Sequence, residues 1–160
     1  DNGLLALDMG ASHRPQEGFK SCDIREGCDF RFDASQRWPF EDNSVGVIRA
    51  VDFMEHIPNK IQLINEMYRV LAHGGMLLSE TPSTDGRGAF QDPTHCAYYN
   101  EHSFWYYTQS NMVAFVPEIK ARFQADVLTT YEPRPNIPYV KAYLVAMKGG
   151  DLPGLCGFPR

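Results

Sequence analysis

Apolar residues run almost unbroken from Leu4 to Met9 and stop at Gly10, the pattern of a strand buried on both faces of a parallel sheet. Shorter apolar stretches predict strands at Phe19–Ile24 and Phe30–Phe32. The β-branched run Val45–Val51 predicts a fourth, after the turn residues Glu41, Asp42, Asn43 and Ser44. The period then changes. Ile61, Ile64, Met67, Tyr68 and Leu71 share one face of a helix that Asn59 caps and that closes at His73-Gly74-Gly75, where glycine supplies a left-handed residue. Met76–Thr81 resumes as a fifth strand up to Pro82. Ser83–Tyr99 reads as a long loop and Glu101–Phe123 as a helix broken before Pro117. Two late strands, Gln124–Tyr131 and Tyr139–Met147, join through a turn around Pro133, Pro135 and Pro138, and the tail after Gly149 is irregular.

Strands alternating with helical or turn segments, followed by an adjacent strand pair, predict an α/β fold: a mostly parallel open sheet with a C-terminal antiparallel strand pair. Its helices are reduced. Only Gly10–Gly18 and Arg25–Asp29 separate the first three strands, whereas a helical crossover takes about 10 to 12 residues. A parallel sheet needs both faces covered, so self-association into a homo-oligomer is expected. Ligands of such sheets sit beyond the carboxyl ends of the strands. Those ends hold Asp8 and Gly10, then Asp23, Asp33, Ala50 to Asp52, and Glu80 to Thr84.

Composition narrows the partners. The 160 residues suit a single domain, 1–160, and 43% hydrophobic with 22% charged residues is ordinary globular content. Cys22, Cys28, Cys96 and Cys156 are scattered without the close pairs of a zinc or redox motif, and are read as free thiols. There is neither a membrane-spanning apolar run nor a secretory start, so a cytoplasmic protein without a membrane partner is expected. A net charge of −5 with dispersed Lys and Arg argues against nucleic acid. A small molecule, a sugar or a protein side chain is the expected substrate.

The stretches LLALDMGAS, FKSCDI, FRFDAS, WPFEDNSVGVIRAVDFMEHIP, NEMYRVLAHGG and MLLSETPS, in this order over Leu4–Ser83, resemble the class I S-adenosylmethionine-dependent methyltransferase family. The resemblance implies a Rossmann-like fold, S-adenosylmethionine as cofactor and methyl transfer to an unidentified acceptor. It implies that Asp8 orients the first loop and that Gly10 lets its backbone approach the methionine moiety. Asp23 would accept the ribose hydroxyls and Asp33 the adenine amine, with the Ala34 amide donating to the ring. Ala50 and His56 would complete the cofactor site, His56 near its reacting end. Ser12 stands where the family's loop usually has its second glycine, which puts a side chain beside the cofactor. The chain starts just before its first strand, so the segment that often covers the substrate in this family is expected to be absent. The shortened helices and Ser12 also fit a non-catalytic cofactor-binding or interaction domain of the same fold. No metal is required by direct displacement, and none is expected.

The loop from Gly86 to Tyr99 combines ionisable groups with rings after the fifth strand, where acceptors enter. His95 and Asp92 are candidate bases, and Tyr98, Tyr99 and Trp105 candidate walls for the acceptor. The same rings would equally serve to cover a sheet face left bare by missing helices, with Asp92-Pro93-Thr94 as a turn.

Overall fold

The structure, a computed structural model, describes residues 3–12 and 14–149. Along the chain run β1 (Leu5–Met9), β2 (Lys20–Asp23), β3 (Phe30–Arg31), β4 (Val45–Val51), α1 (Lys60–Val70), β5 (Leu71–Pro82), α2 (Gly88–Gln91), α3 (Glu101–Thr108), α4 (Ser110–Val113), β6 (Phe123–Arg134) and β7 (Ile137–Ala146). A 3-10 turn, Met54–His56, follows β4. The strands make one seven-stranded sheet in the order β3-β2-β1-β4-β5-β7-β6. Pairing is parallel from β3 through β5, and β7 runs antiparallel to both β5 and β6. This is the mostly parallel open sheet with an antiparallel end that the sequence pattern predicts, in the Rossmann-like form that the family resemblance implies. The chain steps outward from β1 to β3, then returns to the other side of β1 as β4. Such a reversal of direction opens a crevice beyond the strand ends.

The core forms where both faces of the sheet find cover. Leu7, Val45, Ile48 and Leu77 of the central strands are fully buried, as are Leu63, Ile64, Met67 and Val70 of α1. Each buried side chain of this size contributes about 1.5 to 3 kcal/mol. Asn59 caps α1, its Oδ1 accepting from the Gln62 N–H at 3.1 Å. The helix ends at Val70, short of the expected glycines. Leu71 is already extended and fully buried, pairing with Val45, so it serves the strand and not the helical stripe. Gly74, at φ 77°, kinks β5 and shifts the register so that Met76 meets Val47.

Other boundaries move for local reasons. The helical segment breaks at Gln109, which is extended, and β6 begins at Phe123. Pro135 and Asn136 occupy the centre of the last hairpin, Asn136 at φ 61°, the left-handed residue that a turn led by proline takes. Both late strands therefore extend closer to the turn than expected.

Among the described residues the three segments joining β1, β2, β3 and β4 contain no helix. Aromatic rings cover that region. Phe30 and Phe40 meet edge to face at 5.0 Å, and Phe32 lies 5.5 Å from Trp38. Arg69 of α1 fastens this cluster, donating to the carbonyls of Phe40 at 2.9 Å and Trp38 at 3.2 Å while paired with Glu66. Cys22, Cys28 and Cys96 are free thiols, whereas Cys156 and the tail beyond Gly149 lie outside the described residues. Among the described residues, no helix is long and apolar enough to cross a membrane.

Candidate functional site

A cavity of about 490 Å³ opens at the carboxyl edge of β1, β2 and β3, beside the reversal of strand order. Gly10 follows β1, Asp23 ends β2, Asp33 and Ala34 follow β3, and Asp52, Phe53 and His56 follow β4; all line it. Gly10, Asp23, Asp33, Ala34 and His56 were expected around a cofactor from the sequence, and they share one cavity here. The size falls within the few hundred Å³ typical of small-molecule sites.

Two backbone amides hold the Asp23 carboxylate: Ser12 donates to Oδ2 at 3.1 Å and Arg25 to Oδ1 at 3.0 Å. Each oxygen keeps a further lone pair, enough to accept from a vicinal diol. Asp33 takes both bonds from Ser35 on Oδ1, the hydroxyl at 2.7 Å and the amide at 2.9 Å, which leaves Oδ2 for a ligand. These bonds hold the Asp33 carboxyl below its ordinary range, the Ser35 hydroxyl contributing most. Gly10 sits at φ 73°, and a Cβ there would come within 3.0 Å of the Phe53 ring. Both conformation and space require glycine. Burial pushes the Cys22 thiol up to about 12, so this cavity residue is a neutral group.

Three expected cofactor residues do not line the cavity. Asp8 is buried, accepting from Arg49 at 2.9 Å and from the Gln16 amide at 2.7 Å, so its charge braces the loop after β1. Ala50 shares the buried face of β4 with Ile48 and lies in the core. Ser12, left-handed at φ 51°, acts through the backbone N–H that steadies Asp23.

A second cavity, about 180 Å³, shares Asp52 and His56 with the first and adds Glu55, Asp92, His95, Arg134 and Tyr139. The candidate bases His95 and Asp92 therefore lie next to the larger cavity. Asp92 is held in the form of a turn by Thr94, whose hydroxyl donates at 2.7 Å and amide at 2.8 Å; these bonds lower its carboxyl from the ordinary range. Tyr98, Tyr99 and Trp105 line neither cavity. A bridge from Ser83 to Tyr99 turns the Tyr99 ring into the core, stacked on Phe104 at 5.7 Å, and leads into α3. Trp105 stacks on His102 and Tyr98 on Phe90. With Tyr99, Phe104 and Tyr107 buried and α3 packed on β6 and β7, these rings serve as sheet cover, whereas Tyr98 and its partner Phe90 are exposed.

Sequence reasoning placed Asp52 at the ligand edge without giving it a role and passed over Phe53 and Glu55. Asp52 was within reach, being the first polar residue after β4; it adopts φ 49° and accepts from the Tyr139 hydroxyl at 2.7 Å. A non-glycine residue held left-handed at a cavity wall marks stored strain. Glu55 gave no signal, because its burial comes from a distant loop: the amides of Cys96 and Ala97 donate to its carbonyl at 2.9 and 3.0 Å. Burial pushes the Glu55 carboxyl up, against the opposing bond from Thr81.

Residues 7–79 match the family described as methyltransferase domain. No curated protein sequence matches the chain. Among solved structures it is similar to a chain in the complex of the Haloferax volcanii Trm112 methyltransferase activator with a methyltransferase, at TM-score 0.65 and 11% identity, over 92% of this chain and 84% of that one. It is similar to a SAM-dependent methyltransferase of Methanosarcina mazei, at TM-score 0.61 and 14% identity, over 92% and 95% of the two chains. The cyclase SpnF shares the fold at TM-score 0.63 and 13% identity, over 93% of this chain and 76% of that one.

Proposed function

We propose that this chain, which has the methyltransferase fold and matches the methyltransferase-domain family over residues 7–79, binds S-adenosylmethionine and moves its methyl group to an oxygen or nitrogen acceptor entering through the 180 Å³ cavity. The observation that carries the reading is the convergence of Asp23, Asp33 and Gly10, from three successive strand ends, on one cavity at the reversal of strand order. Asp23 receives the ribose hydroxyls, Asp33 the adenine amine, and the Gly10 backbone lies along the methionine moiety. Asp52 adds a third carboxylate to a wall that would face the cation of the sulfonium.

The reaction is an in-line displacement. A lone pair of the acceptor attacks the methyl carbon, the carbon–sulfur bond breaks, and the electrons return to sulfur as a neutral thioether. Most of the rate comes from holding the two partners in line without water between them. His95 or Asp92, beside the shared wall, receives the proton lost by a hydroxyl or amine. The acceptor is a small molecule, a sugar or a protein side chain.

The test is transfer of isotopically labelled methyl from S-adenosylmethionine to a panel of hydroxyl- and amine-bearing acceptors. Wild type should label at least one class, and His95→Gln should bind the cofactor normally while turnover falls. Full turnover by His95→Gln would remove this residue from the reaction.

A further inference from the structure

The wall between the two cavities holds a cluster that methyl transfer alone does not explain. A carboxylate oxygen of Glu55 and one ring nitrogen each from His56 and His95 lie within 4.8 Å of one another. The Glu55 side chain is only 3% exposed; its Oε2 accepts from the Thr81 hydroxyl at 2.7 Å, but its Oε1 has no hydrogen-bond partner. Leaving a carboxylate oxygen buried and unpaired is costly, so something is expected to meet it.

Each imidazole is held through its Nδ1. His95 Nδ1 lies 2.9 Å from the Ala89 carbonyl, which only accepts, so Nδ1 carries the proton and Nε2 presents a lone pair. That Nε2 stands 3.9 Å from Glu55 Oε1 and 3.9 Å from Asp92 Oδ2, too far for hydrogen bonds. His56 Nδ1 faces the Thr94 carbonyl at 3.3 Å and the Thr94 hydroxyl at 3.1 Å. The proton of that hydroxyl goes to Asp92, so Thr94 can only accept from His56, whose Nε2 is left with its lone pair. A histidine fixed by a carbonyl through one nitrogen, with the other free, has the arrangement of a metal ligand.

We propose that Glu55, His56 and His95 bind a divalent transition-metal ion, with zinc as the representative, at the boundary of the two cavities. Two imidazoles and one carboxylate form a set that such ions accept while keeping positions open. Bond lengths near 2.1 Å at a tetrahedral ion put neighbouring ligand atoms about 3.4 Å apart, so the 3.9 Å contact between His95 and Glu55 closes by roughly half an ångström through side-chain rotation. His95 lies far along the chain from Glu55 and His56, so no local spacing marks the three as a set.

Resting on the proposed methyl transfer, the ion makes the acceptor class more specific: a hydroxyl whose oxygen takes an open metal position. The oxygen–hydrogen bond breaks, its proton passing to the half-exposed Asp92 carboxylate beside His95. The metal-held oxygen then forms the bond to the methyl carbon as the carbon–sulfur bond breaks, and the electron pair remains on sulfur.

The test is calorimetric titration of the metal-free full chain with zinc chloride, and separately with cobalt(II) chloride, in the absence of S-adenosylmethionine. The expected result is one ion per chain, with affinity reduced roughly tenfold or more in Glu55→Gln and in His56→Ala. Circular dichroism checks that both variants are folded, and S-adenosylmethionine affinity is measured on Glu55→Gln in parallel. No binding to the folded wild type, or equal binding by the variants, overturns the metal site. One-to-one metal binding without any cofactor binding keeps the site and sinks the methyl-transfer reading.

Discussion

The two halves of the sheet solve the problem of cover differently. On the β4–β5 side a full helix lays Leu63, Ile64, Met67 and Val70 on the strands, and α3 extends the cover over β6 and β7. On the β1–β3 side turns replace helices, the cover is a knot of Phe30, Phe32, Trp38 and Phe40, and Ile24 is 62% exposed. Turns let several strand ends approach one another, and the larger cavity sits among them. The thinly covered half carries the proposed cofactor residues because short connections keep Asp23 and Asp33 at the open edge, while the thickly covered half holds the α1 core.

If that division is right, equal truncations should cost unequal amounts. Leu63→Ala, in the α1 core, should lower unfolding free energy by about 2 to 5 kcal/mol, whereas Ile24→Ala should stay within about 0.5 kcal/mol, as urea denaturation would measure. Comparable costs at the two positions would break the comparison.

Gly10→Ala sharpens it from the other side. A side chain at φ 73° costs about 1 to 2 kcal/mol, and the added methyl would press on the Phe53 ring at 3.0 Å. Because Phe53 lines the cavity, S-adenosylmethionine affinity should fall about tenfold. A folded variant with unaltered affinity would show that the loop after β1 does not meet the ligand.

The smallest effect belongs to the antiparallel end. Burial acts to raise the Glu80 carboxyl, but bonds from Tyr131, Tyr143 and Lys141 outweigh it and hold the group below its ordinary range. A depressed carboxyl adds stability above its unfolded pKa, and that stability is lost as pH falls through the folded value. Melting temperature should therefore decline on the acid side of the normal carboxylate range, and less steeply in Glu80→Gln. Identical acid profiles would remove Glu80 from the account.

Most of the sheet was legible because continuous apolar runs and one helical stripe are strong local signals. Leu71 misled because a buried leucine fits a helix face and a strand equally, and only pairing with Val45 decides between them. Strand-end acids pointed to the edge where the larger cavity lies, since Asp23 and Asp33 follow directly from where β2 and β3 stop. Ala50 and the three rings Tyr98, Tyr99 and Trp105 fall outside the two cavities because position along the chain says nothing of the face a side chain turns to. Glu55 was hidden for the opposite reason: its burial is made by a loop some forty residues later.

The central claim, that the turn-connected edge binds S-adenosylmethionine through Asp23, is tested most directly by calorimetry of the cofactor with wild type and Asp23→Ala. Losing hydrogen bonds to a charged acceptor should cost about 1.5 to 3 kcal/mol, a drop in affinity of roughly ten- to a hundredfold, with the variant still folded. Equal affinity in the two proteins, or no binding by wild type, would contradict it.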